Sequence, residues 1–113
     1  LEGLEMPEGL CHCGKAAAQT ILNLLKKEDA TYTGGCRTFY SPKEWAERGE
    51  LYGLGSVLIV VYDGGEVGPY FSLDHSYPTY AQHTKMFKAL DKAGFYPEEG
   101  CTWYAAVHAK EEA

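Results

Sequence analysis

The run Ser56-Val-Leu-Ile-Val-Val-Tyr62 constrains this chain more than any other feature. Its residues are apolar and mostly β-branched, which stiffens an extended backbone and disfavours a helix. No polar residue alternates through positions 57–61, so a strand here is covered on both faces and lies centrally in its sheet. Asp63-Gly64-Gly65 then supplies a turn signal, and Pro69-Tyr-Phe-Ser-Leu73 reads as a second extended segment paired through that turn. A helical pattern over residues 79–93 follows, with Tyr80, His83, Phe87, Leu90 and Gly94 along one side and Met86 and Ala93 beside them. Gly94 is placed to end it in a left-handed cap. Thr102-Trp-Tyr-Ala-Ala-Val107 is the last strand, with Trp103, Ala105 and Val107 on one face and Thr102, Tyr104 and His108 on the other. This order predicts an α+β fold with a small, mainly antiparallel sheet of three to four strands, built on a β-β-α-β unit.

The first half adds an N-terminal helix and a short second helix. Residues 14–28 place Ala17, Ile21, Leu24 and Leu25 on one face, while Gln19, Asn23, Lys26 and Lys27 fall elsewhere. Cys36-Arg-Thr-Phe-Tyr40 reads as a short edge strand. Ser41-Pro42-Lys43-Glu44 carries the elements of a capping box, with proline at the first helical position. The helix it opens spans about residues 42–48 before Gly49 stops it, and Trp45 turns inward as its anchor. Gly53 and Gly55 loosen the approach to the central strand. A chain of 113 residues supports one domain around one core. Residues 1–10 are expected to be disordered or, for Leu1-Glu-Gly-Leu-Glu5, to be a vector-derived or processed end ahead of Met6. Residues 110–113 are expected to fray.

A net charge of −6 argues against a nucleic-acid binder, which normally carries a basic patch. Lys85, Lys88 and Lys92 fall three and four residues apart, but with Asp91 among them they read as a solvated helix face. Nine tyrosines suit a surface that is half apolar and half wet, as at a protein interface or along a sheet edge. No apolar run approaches the roughly 20 residues a membrane-spanning helix needs, and no export signal is visible. The four cysteines, Cys11, Cys13, Cys36 and Cys101, are therefore expected to be reduced, in a cytoplasmic protein.

Three constellations bear on chemistry. Gly9-Leu-Cys-His-Cys-Gly14-Lys15-Ala16 approaches the phosphate-binding loop, but Ala16 replaces the hydroxyl that holds magnesium and no strand pattern precedes Gly9. Cys11, His12, Cys13 and Cys36 are of zinc-ligating type, with Cys101 or His108 able to complete a set of four. The spacing matches no ribbon or finger, and the plainer reading is small residues filling space before a helix, or a thiol activated by that helix's dipole. Asp74, His75 and His83 contain acid–base types, but adjacent residues of an extended segment point to opposite faces and do not form a dyad. An enzyme is thus the weaker reading.

The segments Phe39-Tyr-Ser-Pro-Lys-Glu-Trp45, residues 53–65 and Cys101-Thr-Trp-Tyr104 resemble small uncharacterised accessory proteins of phages, prophages and other mobile elements. The resemblance covers most of the chain after Thr38 and brings no assigned functional residues. It implies a protein that acts by binding a host protein. The leading expectation is therefore an interaction protein with an acidic, tyrosine-rich surface, its partner a host protein or a second copy in a homodimer. The alternatives are a zinc- or thiol-dependent domain using the cysteine cluster, and a small-molecule binder with an aromatic pocket. Trp45, Tyr70, Tyr80 and Trp103 are the candidate binding residues.

Overall fold

The computed structural model describes residues 2–73 and 80–110. Along the chain it forms α1 (His12–Lys27), β1 (Phe39–Tyr40), α2 (Pro42–Glu47), β2 (Leu58–Val61), a 3-10 turn (Gly68–Tyr70), α3 (Ala81–Ala93), β3 (Phe95–Cys101) and β4 (Tyr104–Ala109). The four strands make one antiparallel sheet in the order β1-β2-β4-β3, with Val60 of β2 opposite Phe39 on one side and Ala105 on the other. All four residues of β2 are buried, as their unbroken apolar pattern requires. No helix among the described residues is long and apolar enough to cross a membrane.

Strand alternation divides the interior into two clusters. Leu58, Val60, Ala105, Val107 and Phe95 pack with Ala17, Ala18, Ile21 and Leu25 of α1 and with Met86 and Leu90 of α3. On the opposite face Ile59, Val61, Tyr104 and Ala106 pack against Trp45 of α2. One face is thus covered by two long helices and the other by a helix of six residues and its flanking loops.

Four expectations need correction. Residues 69–73 are not a strand: Pro69 is the second residue of the 3-10 turn, whose Gly68 carbonyl accepts from the N–H groups of Phe71 and Ser72. Proline lacks the N–H that a ladder needs and fixes a φ that suits a turn. Residues 95–101, unassigned from sequence, form β3 instead, and the chain turns at Thr102-Trp103 so that β4 begins at Tyr104. Trp103 consequently leaves the Ala105 and Val107 face and joins the Trp45 cluster. In α3 the buried stripe is Met86 and Leu90, while Tyr80 and Phe87 are exposed and His83 is half-buried. The helix packs on α1, β3 and the 3-10 turn, with a narrower buried stripe than the periodicity predicts. Finally, residues 2–10 are part of the fold. Leu4 and Leu10 belong to the first cluster, and the Gly3 carbonyl accepts from the Thr38 N–H at 2.8 Å.

With no hairpin at Asp63-Gly64-Gly65, that turn does different work. It crosses the loop after α1, where the Glu66 N–H donates to the Tyr32 carbonyl at 2.7 Å. Gly65 has φ +74°, and a Cβ there would stand 2.3 Å from the Tyr32 carbonyl oxygen. Gly35 has a similar φ of +87° but open space around its Cα. Replacing Gly35 by alanine should cost only the left-handed backbone, about 1 kcal/mol. Gly65→Ala adds a backbone collision and should cost at least about 3 kcal/mol. Urea unfolding of the two variants measures the difference.

Candidate functional site

The second sheet face is built outward from α2. The Ser41 hydroxyl accepts from the Glu44 N–H at 3.1 Å, and the Glu44 carboxylate accepts from the Ser41 N–H at 3.0 Å, closing the capping box read in the sequence. Arg37 then clips this helix to the edge strand. Its guanidinium donates to both Glu44 oxygens at 2.7 Å and, through Nε, to the Phe39 carbonyl at 2.9 Å. Burial alone would raise the Glu44 carboxyl, but the hydrogen bonds from Arg37 and the Ser41 backbone and the guanidinium charge outweigh it. The pKa of Glu44 consequently lies below its ordinary value.

So held, α2 drives Trp45 into the sheet, where none of its surface remains exposed. Its ring lies 5.4 Å from Tyr40, 5.9 Å from Trp103 and 5.2 Å from Tyr104, in tilted geometries that suit aromatic quadrupoles. The Arg48 guanidinium stacks 4.7 Å above Trp45, and that of Arg37 lies 4.2 Å above Tyr40. The buried indole N–H has no hydrogen-bond acceptor among the described residues and lies among the surrounding rings. This cluster is the base of a surface rather than a pocket.

The surface itself is the loop between α2 and β2. Gly53 lies flat on the sheet: a Cβ there would meet Ile59 Cδ1 at 2.9 Å and Ala106 Cβ at 3.3 Å. Ser56 fastens the far side, donating its hydroxyl to the Gly53 carbonyl at 2.6 Å and its N–H at 3.1 Å. With the backbone pinned, Leu51 (79% exposed), Tyr52 (76%) and Leu54 (42%) project into solvent. Tyr52 and Glu50 lie near Tyr104, whose phenol is raised above its ordinary value first by burial, then by Cys101, Glu50 and Tyr52. Half-buried Tyr40 and Trp103 belong to the cluster beneath; Glu50 at the start of the loop pairs with Arg48 at 3.8 Å, and Glu47 is exposed at the end of α2.

Of the four residues expected to bind, the structure brings Trp45 and Trp103 together and separates the others. Tyr70 is buried in the first cluster, and Tyr80 is exposed at the start of α3. Burial raises the Tyr70 phenol, and the Glu28 carboxylate, itself paired with Lys85 at 2.8 Å, raises it further. No aromatic pocket unites this set. Leu51, Tyr52 and Leu54 went unmarked in the sequence, where their signal was large apolar side chains between glycines in a loop.

Cys11, His12 and Cys13 are exposed at the start of α1, where the Cys11 sulfur caps the helix by accepting from the Gly14 N–H at 3.3 Å. Cys36 is half-buried, all four thiols are free, and no three His, Cys, Asp or Glu side chains among the described residues gather as metal ligands. No strand precedes α1 among the described residues, so the glycine-lysine spacing at residues 9–16 lacks the setting of a phosphate loop. Asp74 and His75 lie outside the described residues. His83 stacks on Phe87 at 6.0 Å and His108 on Tyr96 at 5.2 Å. A cleft of about 490 Å³ on the other side, lined by Glu2, Asp29, Thr31, Tyr32, Thr33, Gly35 and Glu66, holds carboxylates without a cation.

Trp45→Ala should destabilise the protein by roughly 3–5 kcal/mol, the range for a large aromatic removed from a core. Lys43→Ala, exposed on the same helix, should change stability by no more than about 0.5 kcal/mol in parallel urea titrations.

Glu44→Gln separates the charge from the cap, because glutamine also serves at the third helical position. The lowered folded-state pKa makes the ionised carboxylate stabilising above the unfolded value of about 4.3 and removes that contribution as pH falls through the folded value. The wild-type advantage over Glu44→Gln should therefore be greatest above about pH 5 and close on acidification, as read from urea midpoints across the pH range.

No protein-family model, curated protein or solved structure matches the chain.

Proposed function

We propose that the protein is an interaction module that holds another protein against the apolar, tyrosine-bearing surface around Leu51, Tyr52 and Leu54. One observation carries this reading. The two most exposed large apolar side chains among the described residues are neighbours on a loop whose Gly53 rests on Ile59 and Ala106 of the sheet and whose turn is closed by the Ser56–Gly53 hydrogen bonds. Scattered exposed apolar residues are ordinary, but a contiguous group in water forfeits about 25 cal/mol for each Å² that a partner could cover. A pinned loop also loses little conformational freedom on docking, so more of that gain reaches the affinity. Tyr52 is of the residue type that anchors interfaces, and exposed Glu47, at the end of α2 and outside the Arg48–Glu50 pair, offers a negative charge to a basic residue of the partner. The resemblance to mobile-element accessory proteins supplies the expected partner, a protein of the host cell, with a second copy of this chain as the alternative.

The test compares proteins captured from a bacterial lysate by wild type, by Leu51→Ser/Tyr52→Ser and by Lys88→Ala on the opposite layer, after matching their urea midpoints. A partner retained by wild type and Lys88→Ala and lost by the double variant is the expected result. A partner retained equally by all three places binding elsewhere and overturns the assignment. Light scattering on the same proteins identifies the second-copy case, in which wild type has a dimer mass and the double variant a monomer mass.

A further inference from the structure

The charge of the chain is not spread evenly. Helices α1 and α3 together carry Lys15, Lys26, Lys27, Lys85, Lys88 and Lys92 and a single carboxylate, Asp91, in a protein of net charge −6. Asp91 is paired with Lys110, and Lys85 with Glu28 at the end of α1. Lys27, Lys88 and Lys92 have no carboxylate partner among the described residues, and all three are exposed. Between the two helices runs a groove of about 290 Å³ lined by Thr20, Asn23, Leu24, Lys27, Ala89 and Lys92. Its apolar components are Leu24 and Ala89, both half-buried, and each helix contributes one lysine.

We infer that this groove docks an acidic, leucine-bearing segment of a partner protein, on a surface separate from the Leu51 and Tyr52 loop. An aliphatic side chain of the partner fills the space between Leu24 and Ala89, while flanking carboxylates meet Lys27 and Lys92. Charge complementarity selects the occupant. The groove offers cations with no counter-ion among the described residues beside an apolar recess, and an apolar segment carrying negative charge satisfies both. A nucleic acid would bring the charge but leave the recess empty, and no aromatic side chain lines the groove to stack a base.

The probe is a fluorescein-labelled synthetic peptide with leucines at helical spacing and glutamates on both flanks, titrated with the protein and followed by fluorescence anisotropy. Lys27→Glu and Lys92→Glu should each weaken binding about tenfold, equivalent to about 1.4 kcal/mol. Lys43→Glu, the same charge change on α2, should alter it less than about twofold, because α2 packs on the opposite face of the sheet and salt screens charges that are far apart. Amide chemical-shift changes should centre on Thr20, Leu24, Lys27, Ala89 and Lys92. No detectable binding overturns the proposal, as does an equal loss with Lys43→Glu, which would signal net charge alone. A peptide with serine for leucine that binds equally well also overturns it, as does a single-stranded oligonucleotide that displaces the peptide. If wild type alone is a dimer that Lys92→Glu dissociates, the occupant is a second copy and the partner assignment fails.

Discussion

The burial of β2 on both faces is the constraint on which the rest of the fold depends. Leu58 and Val60 need cover on one side of the sheet, Ile59 and Val61 on the other, and four residues cannot supply it themselves. The chain meets the first demand with α1 and α3, whose inward stripes are Ala17, Ile21, Leu25, Met86 and Leu90. It meets the second with much less material. A six-residue helix is too short to persist by itself, since isolated helices below about 12 residues are marginal in water. Its stability is borrowed from Trp45, from the Ser41–Glu44 box and from the Arg37 clip.

That economy exposes the surface proposed to bind. Because α2 covers only part of the second face, the loop after it must lie across the remainder, and Gly53 lets its backbone rest on Ile59 and Ala106. A backbone pressed to the sheet directs its neighbouring side chains away from it. Leu51, Tyr52 and Leu54 are therefore exposed for a structural reason.

The sequence was most legible where one local signal decided the outcome. The unbroken apolar run gave β2, the serine-proline-glutamate spacing gave α2, and Gly94 gave the end of α3. It was least legible where tertiary contacts decide. Strand β3 reads Phe-Tyr-Pro-Glu-Glu-Gly-Cys, a poor strand by composition, and it forms because β4 offers a free edge in register. The Pro69 segment reads as extended, yet it turns because Tyr70 and Phe71 enter the first cluster from a 3-10 turn. Trp45 was legible as an anchor. The exposed loop beside it was not, because nothing local distinguishes a leucine that will be buried from one that the backbone directs outward.

The edges of the sheet bear on how such a protein can meet another. Strand addition needs a free edge with unpaired N–H and C=O groups over several residues. At one side β1 is only two residues long, and Arg37 already occupies the Phe39 carbonyl. At the other, β3 carries Pro97, exposed Glu98 and Glu99, and a register shift between Glu99 and Cys101. Both edges are blunted in the ways that natural sheets use against edge-to-edge pairing. Contact with another protein is thereby directed to the two covered faces, and these differ in chemistry. Over α1 and α3 the surface is lysine-rich around an apolar groove, whereas over α2 it is apolar and aromatic with paired charges of both signs around it. The sheet separates them, so substitutions on one outer surface need not disturb packing beneath the other, and two partners could occupy the two sides without competing.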